Sequence, residues 1–242
     1  LAKCVDKRQR HQQIAAELRA QIMSSVFKAG EKLPSTSLLV EQYRTVNATV
    51  SKAMGLLKDE GLVRGEAGKG VFVRSKQPFI VSATAYKEPS PRGYSYQLLN
   101  VAEVVPPGEV LDALNLGEGG RAVVRQRLLL HDGDPVELSW SYYPVDIAAG
   151  TPLAGKGKIR GGAPAVLEEL GLPELSFKDR ISARQPRTEE VELLCLPLDV
   201  PVIRQFRVVR SRGERPVEVS ILIKGGHLYE LEYEQAIPEI DC

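Results

Sequence analysis

In the first sixty residues the apolar positions recur at intervals of three and four, the period of helices with one buried face. From Arg8 to about Ser25, Ile14, Ala15, Leu18 and Ile22 share one stripe, with Arg8, Gln12, Glu17 and Arg19 outside it. The next segment, FKAGEKLPS, is punctuated by Gly30 and Pro34, and Pro34-Ser35 opens a short second helix whose Leu38, Leu39 and Tyr43 are expected to face inward. A third helix, NATVSKAMGLLKDEG, puts Val50, Ala53, Met54 and Leu57 on one face and Ala48, Thr49, Ser51, Lys52 and Asp59 on the other, with Gly61 as its stop. Its outer face carries small and hydrogen-bonding side chains instead of the usual Glu/Lys coat, which lets a helix enter a major groove closely. The stretch LVRGEAGKGVFVR then alternates around a Gly65 to Gly70 tip, a hairpin lined by Arg64, Lys69 and Arg74. Three helices followed by a basic hairpin predict a winged helix-turn-helix, whose default use is binding DNA; a winged helix used only for protein contact is the alternative.

Beyond this region the period changes to two. Residues 75 to 95 hold three prolines with no period and read as linker and entry loop, placing the domain boundary near residue 76. AVVRQRLLLHDGDPVELSWSYYP predicts two strands joined at Asp132-Gly133-Asp134, with Arg125 and Arg127 on one face. VIRQFRVVRSRGERPVEVSILIKG repeats the design around Gly213, a symmetry that suggests a repeat without proving one. Between them, Pro164 to Leu170 and Thr188 to Leu194 read as short helices. Residues 77–242 are therefore expected to be an α+β domain around an antiparallel sheet.

Charge sharpens this division. The net charge of the 242-residue chain is only +1, yet residues 1–76 hold 14 Lys/Arg against 7 Asp/Glu, and the remainder 18 against 24. An N-terminal third that meets a polyanion is the reading this favours. Cys4, Cys195 and Cys242, with His11, His131 and His227, lie too far apart for a short-range metal motif, and an odd, scattered cysteine count is no disulfide framework. No apolar run approaches the roughly 18 residues of a membrane helix. The opening LAKCVDKRQR is too polar for a signal peptide, so a cytoplasmic protein is expected, and the missing initiator Met is read as trimming or an artificial chain boundary rather than a targeting segment.

The segments QIAAELRAQI, KLPS, ATVSKAMGLLKDEGLV and GKGVFV resemble the GntR-type bacterial transcription regulators over residues 11 to 74. The resemblance implies operator contacts from the start of the second helix, the recognition helix and the wing. Here these are Ser35, Thr36, Ser37, Asn47, Ala48, Thr49, Ser51, Lys52, Gly68, Lys69 and Gly70, joined by Arg8 and Arg44. Where the family usually has Glu-Arg after LPS stand Thr36-Ser37, its Gly-Val-Ser turn is Arg44-Thr45-Val46, and two common Arg positions are Asn47 and Ser51, so the operator is expected to differ. Asn47 can bind adenine bidentately or can cap its helix; both readings stand.

The C-terminal segments RQRLLLHDGDPVELSWSYYP, IRGGAPAVLEELG and RPVEVSILIKGGHLYELE resemble the UTRA ligand-binding domain of the HutC subfamily, over about 77 to 235, and imply the chorismate lyase fold. The resemblance implies a small anionic or polar effector held by Arg125, Arg127, Ser139, Glu218 and Lys224. Arg160-Gly161-Gly162 before a helix would add backbone N–H groups. Ser139 and Lys224 depart from the common pattern, which counts against a sugar phosphate, and two alternate arginines can also be merely solvated.

The expected protein is a homodimeric repressor on a palindromic operator, released by its effector, with no cofactor and no metal. A ligand-independent repressor, such as a plasmid-transfer regulator, is the alternative. Enzyme chemistry has no nucleophile–base pairing, P-loop or GxSxG to support it.

Overall fold

The computed structural model describes residues 5–74, the backbone of 79–82, and residues 93–233. Cys4, Cys242 and most of the expected linker lie outside the described residues. The chain divides into two compact units, with the changeover near Phe79 and Ile80.

The N-terminal unit packs α1 (Arg10–Met23), α2 (Thr36–Tyr43) and α3 (Asn47–Asp59) around Ile14, Leu18, Leu39, Val50, Ala53 and Leu57, each at most 1% exposed. Leu39 and Tyr43, four residues apart, define the buried face of α2. Leu38, expected inside, is instead 57% exposed, because one residue turns a helix about 100° away from that face. Arg19 also departs from a purely outward role: its guanidinium forks onto the buried carboxylate of Glu60. At the end of α3, Gly61 takes a φ of 72°, with its N–H bonded to the Lys58 carbonyl and that of Leu62 to the Leu57 carbonyl. Both bonds satisfy carbonyls the helix leaves open.

The wing pairs β1 (Val63–Glu66) with β2 (Gly70–Val73), and Lys32 bridges to Phe72 as a third edge. Val63 and Val73 turn into the helical core, so the alternation fixes the hairpin's inner side.

The C-terminal unit is built on a six-stranded antiparallel sheet, in spatial order β4 (Tyr94–Val104), β5 (Ala122–His131), β6 (Asp134–Pro144), β9 (Pro216–Gly225), β8 (Val202–Arg210) and β7 (Ser176–Arg184). The suspected repeat is present in this order. One half runs β4, α4 (Gly108–Ala113), β5, β6; the other runs β7, α7 (Thr188–Leu194), β8, β9; and β6 meets β9 at the centre. Registers agree closely: Arg127 lies opposite Ser139 in one hairpin and Arg207 opposite Ser220 in the other. Both hairpins shift register just before the Pro-Val-Glu segment, between Leu129 and Leu130 and between Val209 and Arg210. Trp140 of one half pairs with Ile221 of the other, and the pairs on either side mirror one another.

One sheet face packs α4 and α7 over Val124, Phe206, Val219 and Leu138. At one end the other face receives α5 (Val145–Ala148), a 3-10 turn at Pro152–Ala154 and α6 (Gly162–Glu169), sealed around Tyr143, Leu153 and Leu167. The helix expected at Pro164 thus begins two residues earlier. The expected linker also contains strand: β3 (Phe79–Ser82) pairs with β10 (Tyr229–Glu232).

Candidate DNA-binding and effector sites

The first turn of α2 presents Ser35, Thr36 and Ser37 to solvent, and Ser35 also accepts a hydrogen bond from the Leu38 N–H at 3.3 Å. Arg44, exposed, occupies the left-handed region (φ 47°) in the turn between α2 and α3. On α3, Asn47, Ala48, Ser51 and Lys52 form one exposed strip opposite Val50 and Met54, with half-buried Thr49 at its edge. Asn47 does not cap: Val46 holds the cap position and Asn47 is the first helical residue. Its amide, like Ser51 and Lys52, makes no hydrogen bond or ion pair among the described residues. Gly68, at φ 71°, lets the wing turn tightly enough for the Lys69 N–H to reach the Glu66 carbonyl at 3.0 Å, leaving Lys69 and Gly70 exposed at the tip. Arg8, ahead of α1, is held by Asp6 through Nη2 to Oδ2 at 2.7 Å. The side-chain hydrogen bond from Arg8 holds the Asp6 carboxyl at about 2.

In the C-terminal unit the strand registers bring Arg125, Arg127, Ser139, Glu218 and Lys224 onto the same sheet face. Arg160, Gly161 and Gly162 stand apart at the start of α6, with Arg160 exposed and both glycines at φ 77°. The two arginines have different hydrogen-bond partners. Arg125 is 2% exposed and donates through Nη1 to the Leu153 and Gly155 carbonyls at 2.9 and 2.6 Å and through Nη2 to Gly157 at 3.0 Å. It is spent on holding the 152–157 loop, an alternative that the sequence pattern did not reveal. Burial, and then the neighbouring Arg127 charge, lower its pKa.

Arg127 instead donates from Nη2 to Ser141 Oγ, which lies 2.8 Å from Ser220 Oγ, and Ser220 donates to the Glu218 carboxylate. Its Nε is buried without a hydrogen-bond partner among the described residues. Burial, followed by the Glu218 charge, pushes the Tyr143 phenol well above its ordinary value, so Tyr143 stays a neutral neighbour of this chain. A second run joins Glu137 to Lys224 (2.7 Å), Lys224 to Gln205 (3.1 Å) and Gln205 to Asp179 (2.8 Å). Asp179 then binds Arg207 through both carboxylate oxygens, at 2.8 and 2.7 Å. Ser141, Ser220, Gln205, Arg207 and Asp179 were missing from the sequence-based set; the repeated hairpin pattern over Arg204 to Arg210 was the one signal that could have led to Arg207.

On the opposite sheet face, a groove of about 330 Å³ runs between α4 and β7–β8, with Glu109 and Asp112 on one wall and Lys178, Arg180 and Arg210 on the other. Among the described residues no helix is long and apolar enough to cross a membrane.

Residues 91–230 match the UTRA domain family, and residues 10–73 match the bacterial regulatory proteins of the gntR family. The HTH-type transcriptional regulator SCO4628 of Streptomyces coelicolor, itself described as uncharacterized, is 29% identical across 94% of this chain and 93% of its own length. GgaR, an HTH-type transcriptional regulator of Escherichia coli K12, is 23% identical across 91% of this chain and 89% of its own. Among solved structures, PhnF from Mycobacterium smegmatis has the same fold with a TM-score of 0.58 at 19% identity, covering 93% of this chain and all of that one. The C-terminal domain of a histidine utilization repressor from Pseudomonas syringae aligns with 60% of this chain and 99% of its own at a TM-score of 0.51 and 20% identity. The chain belongs to the UTRA domain family and joins that domain to a DNA-binding helix-turn-helix of the gntR family, the architecture of a transcription regulator.

Proposed function

We propose that this protein is a repressor of the HutC subfamily, with a DNA-binding domain ending near residue 76 and a C-terminal domain that dimerises and takes a small anionic effector. Two copies read a palindrome, because one winged helix offers too few contacts for genomic selectivity and two-fold proteins read two-fold sites. The exposed strip of α3 enters the major groove, with Asn47 and Thr49 on base edges and Lys52 and wing Lys69 on phosphates.

The observation that carries the effector half is Arg127, a half-buried cation whose Nε is buried and lacks a hydrogen-bond partner among the described residues. A buried donor left without a partner costs about 1–3 kcal/mol, and an anion arriving there removes that cost. The ligand's differential affinity for two states of the protein then sets DNA affinity; a coupling of about 1–3 kcal/mol is enough for a switch.

One observation favours a ligand-independent repressor instead: Arg125 is already saturated by loop carbonyls. Operator retardation with and without small molecules from cell extract, on wild type and Arg127→Ala, decides between them. The effector reading requires release of the wild type only, with the ligand recovered unchanged. No release by any extract supports the ligand-independent protein.

A further inference from the structure

Val46, which opens α3, is a poor choice there for stability. It holds the cap position with extended backbone, and its carbonyl accepts from the Thr49 and Val50 N–H groups at 3.0 and 3.3 Å. Its side chain makes no cap hydrogen bond. A serine, threonine, asparagine or aspartate at that position satisfies one of the open N–H groups of the first turn, whereas an aliphatic residue leaves it to solvent. Packing does not compensate, because Val46 is 63% exposed and lies outside the helical core. A residue that breaks a local rule with no gain inside the fold points to a contact outside it.

The residues around it fit one base pair better than the other. The N-terminal residues of a recognition helix are those that contact base edges. In this chain they are Val46, Asn47, Ala48 and Thr49, none of them charged. Guanine is read on O6 and N7 by arginine or lysine, and cytosine by a carboxylate that accepts from N4. The first turn of α3 has no acidic residue; Arg44 lies before the helix, in the turn, and Lys52 comes more than a turn after its start. Adenine is read on N6 and N7 by a side-chain amide, which exposed Asn47 offers. Thymine alone brings an apolar group, its C5 methyl, into the major groove. Val46 and Ala48, both exposed, flank Asn47 with side chains that end only in methyl groups.

We propose that Val46 is a specificity-determining residue, packing its methyl groups against the C5 methyl of a thymine in each half-site, next to the adenine taken by Asn47. The operator positions under the start of α3 are then A·T pairs. Ala48 adds a shorter methyl contact on the same strip. Bringing these methyl groups together removes apolar surface from water, a gain that cytosine, with only hydrogen at C5, does not offer. The inference rests on the DNA-binding reading given above and names the base pair that reading leaves open.

Uracil in place of thymine deletes this methyl and leaves every hydrogen-bonding group of the pair unchanged. The full-length protein is used to select from a duplex library with a randomised core, and the retained motif is resynthesised with uracil at one thymine position at a time, in both half-sites together. At the thymine under Val46, the loss is expected to be about fourfold for each methyl removed, the factor that corresponds to one methylene-sized group returned to water. Val46→Ser supplies a capping hydroxyl, so its Tm should equal or exceed that of the wild type, and a change in DNA preference is then not a folding defect. This variant should bind the thymine and uracil forms equally at that one position and keep the wild-type response at the others.

A motif in which no thymine methyl matters, or methyl effects that all persist in Val46→Ser, overturns the role of Val46 while sequence-specific binding stands. A library that yields no motif removes the DNA-binding reading itself, and the role of Val46 with it.

Discussion

Arg184, the last residue of β7, grips Glu190 in the first turn of α7, with Nη1 to Oε2 at 2.7 Å and Nη2 to Oε1 at 2.6 Å. Arg187 adds its backbone N–H (2.8 Å) and its Nε (3.0 Å), and its guanidinium lies 5.6 Å from the centre of the Trp140 ring. The carboxylate is wholly buried. Burial alone would raise its pKa, but the Arg184 hydrogen bonds, followed by those from Arg187, outweigh it and hold Glu190 at about 2. A depressed carboxylate contributes stability that is full above its unfolded value near 4.5 and is lost as pH falls toward 2. Between those limits the C-terminal domain is expected to lose about 2–3 kcal/mol through this group. Urea unfolding across that pH range, for wild type and Glu190→Gln, checks this: the variant should be less stable at neutral pH and show a shallower acid dependence.

A related ion pair secures the DNA-binding domain. Glu60 is 4% exposed and depends on Arg19, so Arg19→Ala strands a buried charge and should cost about 3–5 kcal/mol. Replacing both residues with leucine should cost less than the single change. Chemical denaturation of a fragment spanning residues 1–76 measures both; a double variant less stable than Arg19→Ala would contradict the stranded-charge explanation.

On DNA, Lys52→Gln or Lys69→Gln should weaken binding to all sequences and reduce the slope of log K against log salt by about one ion. Asn47→Ala and Thr49→Ala should leave that slope alone and erode the preference for operator over random duplex, by about 1–3 kcal/mol for a lost bidentate base contact. Fluorescence anisotropy over a salt series distinguishes the two classes.

The helices, the wing and both central hairpins were legible because each carries a strong period and a turn residue at the right place, as with Val50, Ala53, Met54 and Leu57 before Gly61. The edge strands β4 and β7 were not. In β7 the pattern is Ser-Phe-Lys-Asp-Arg-Ile-Ser-Ala-Arg, mostly exposed, because an edge strand has few neighbours to enforce apolar alternation. The DNA strip follows from a helical period, so its residues fall together without tertiary knowledge. The effector face needs the register between strands far apart in sequence, and neither Asp179 beside Arg207 nor Leu98 beside Arg127 is visible before the sheet is assembled. Arg125 looked equivalent to Arg127 for the same reason; only the 152–157 loop, folded over it, distinguishes them.

That distinction has its own consequence. Arg125→Ala removes the donor that gathers the Leu153, Gly155 and Gly157 carbonyls, so hydrogen exchange should accelerate across residues 151–158 even without ligand. Arg127→Ala should leave that loop protected. Equal exchange in the two variants would return Arg125 to the role of a ligand contact.

The central claim is sequence-specific DNA binding through α3, and selection from sheared genomic DNA tests it most directly. The full-length protein is expected to retain a small set of fragments sharing one palindromic motif, with both half-sites protected together, and the Asn47→Ala/Thr49→Ala protein should lose that enrichment while still binding DNA. Retained fragments with no common motif, or the same motif recovered by the double variant, would contradict the account.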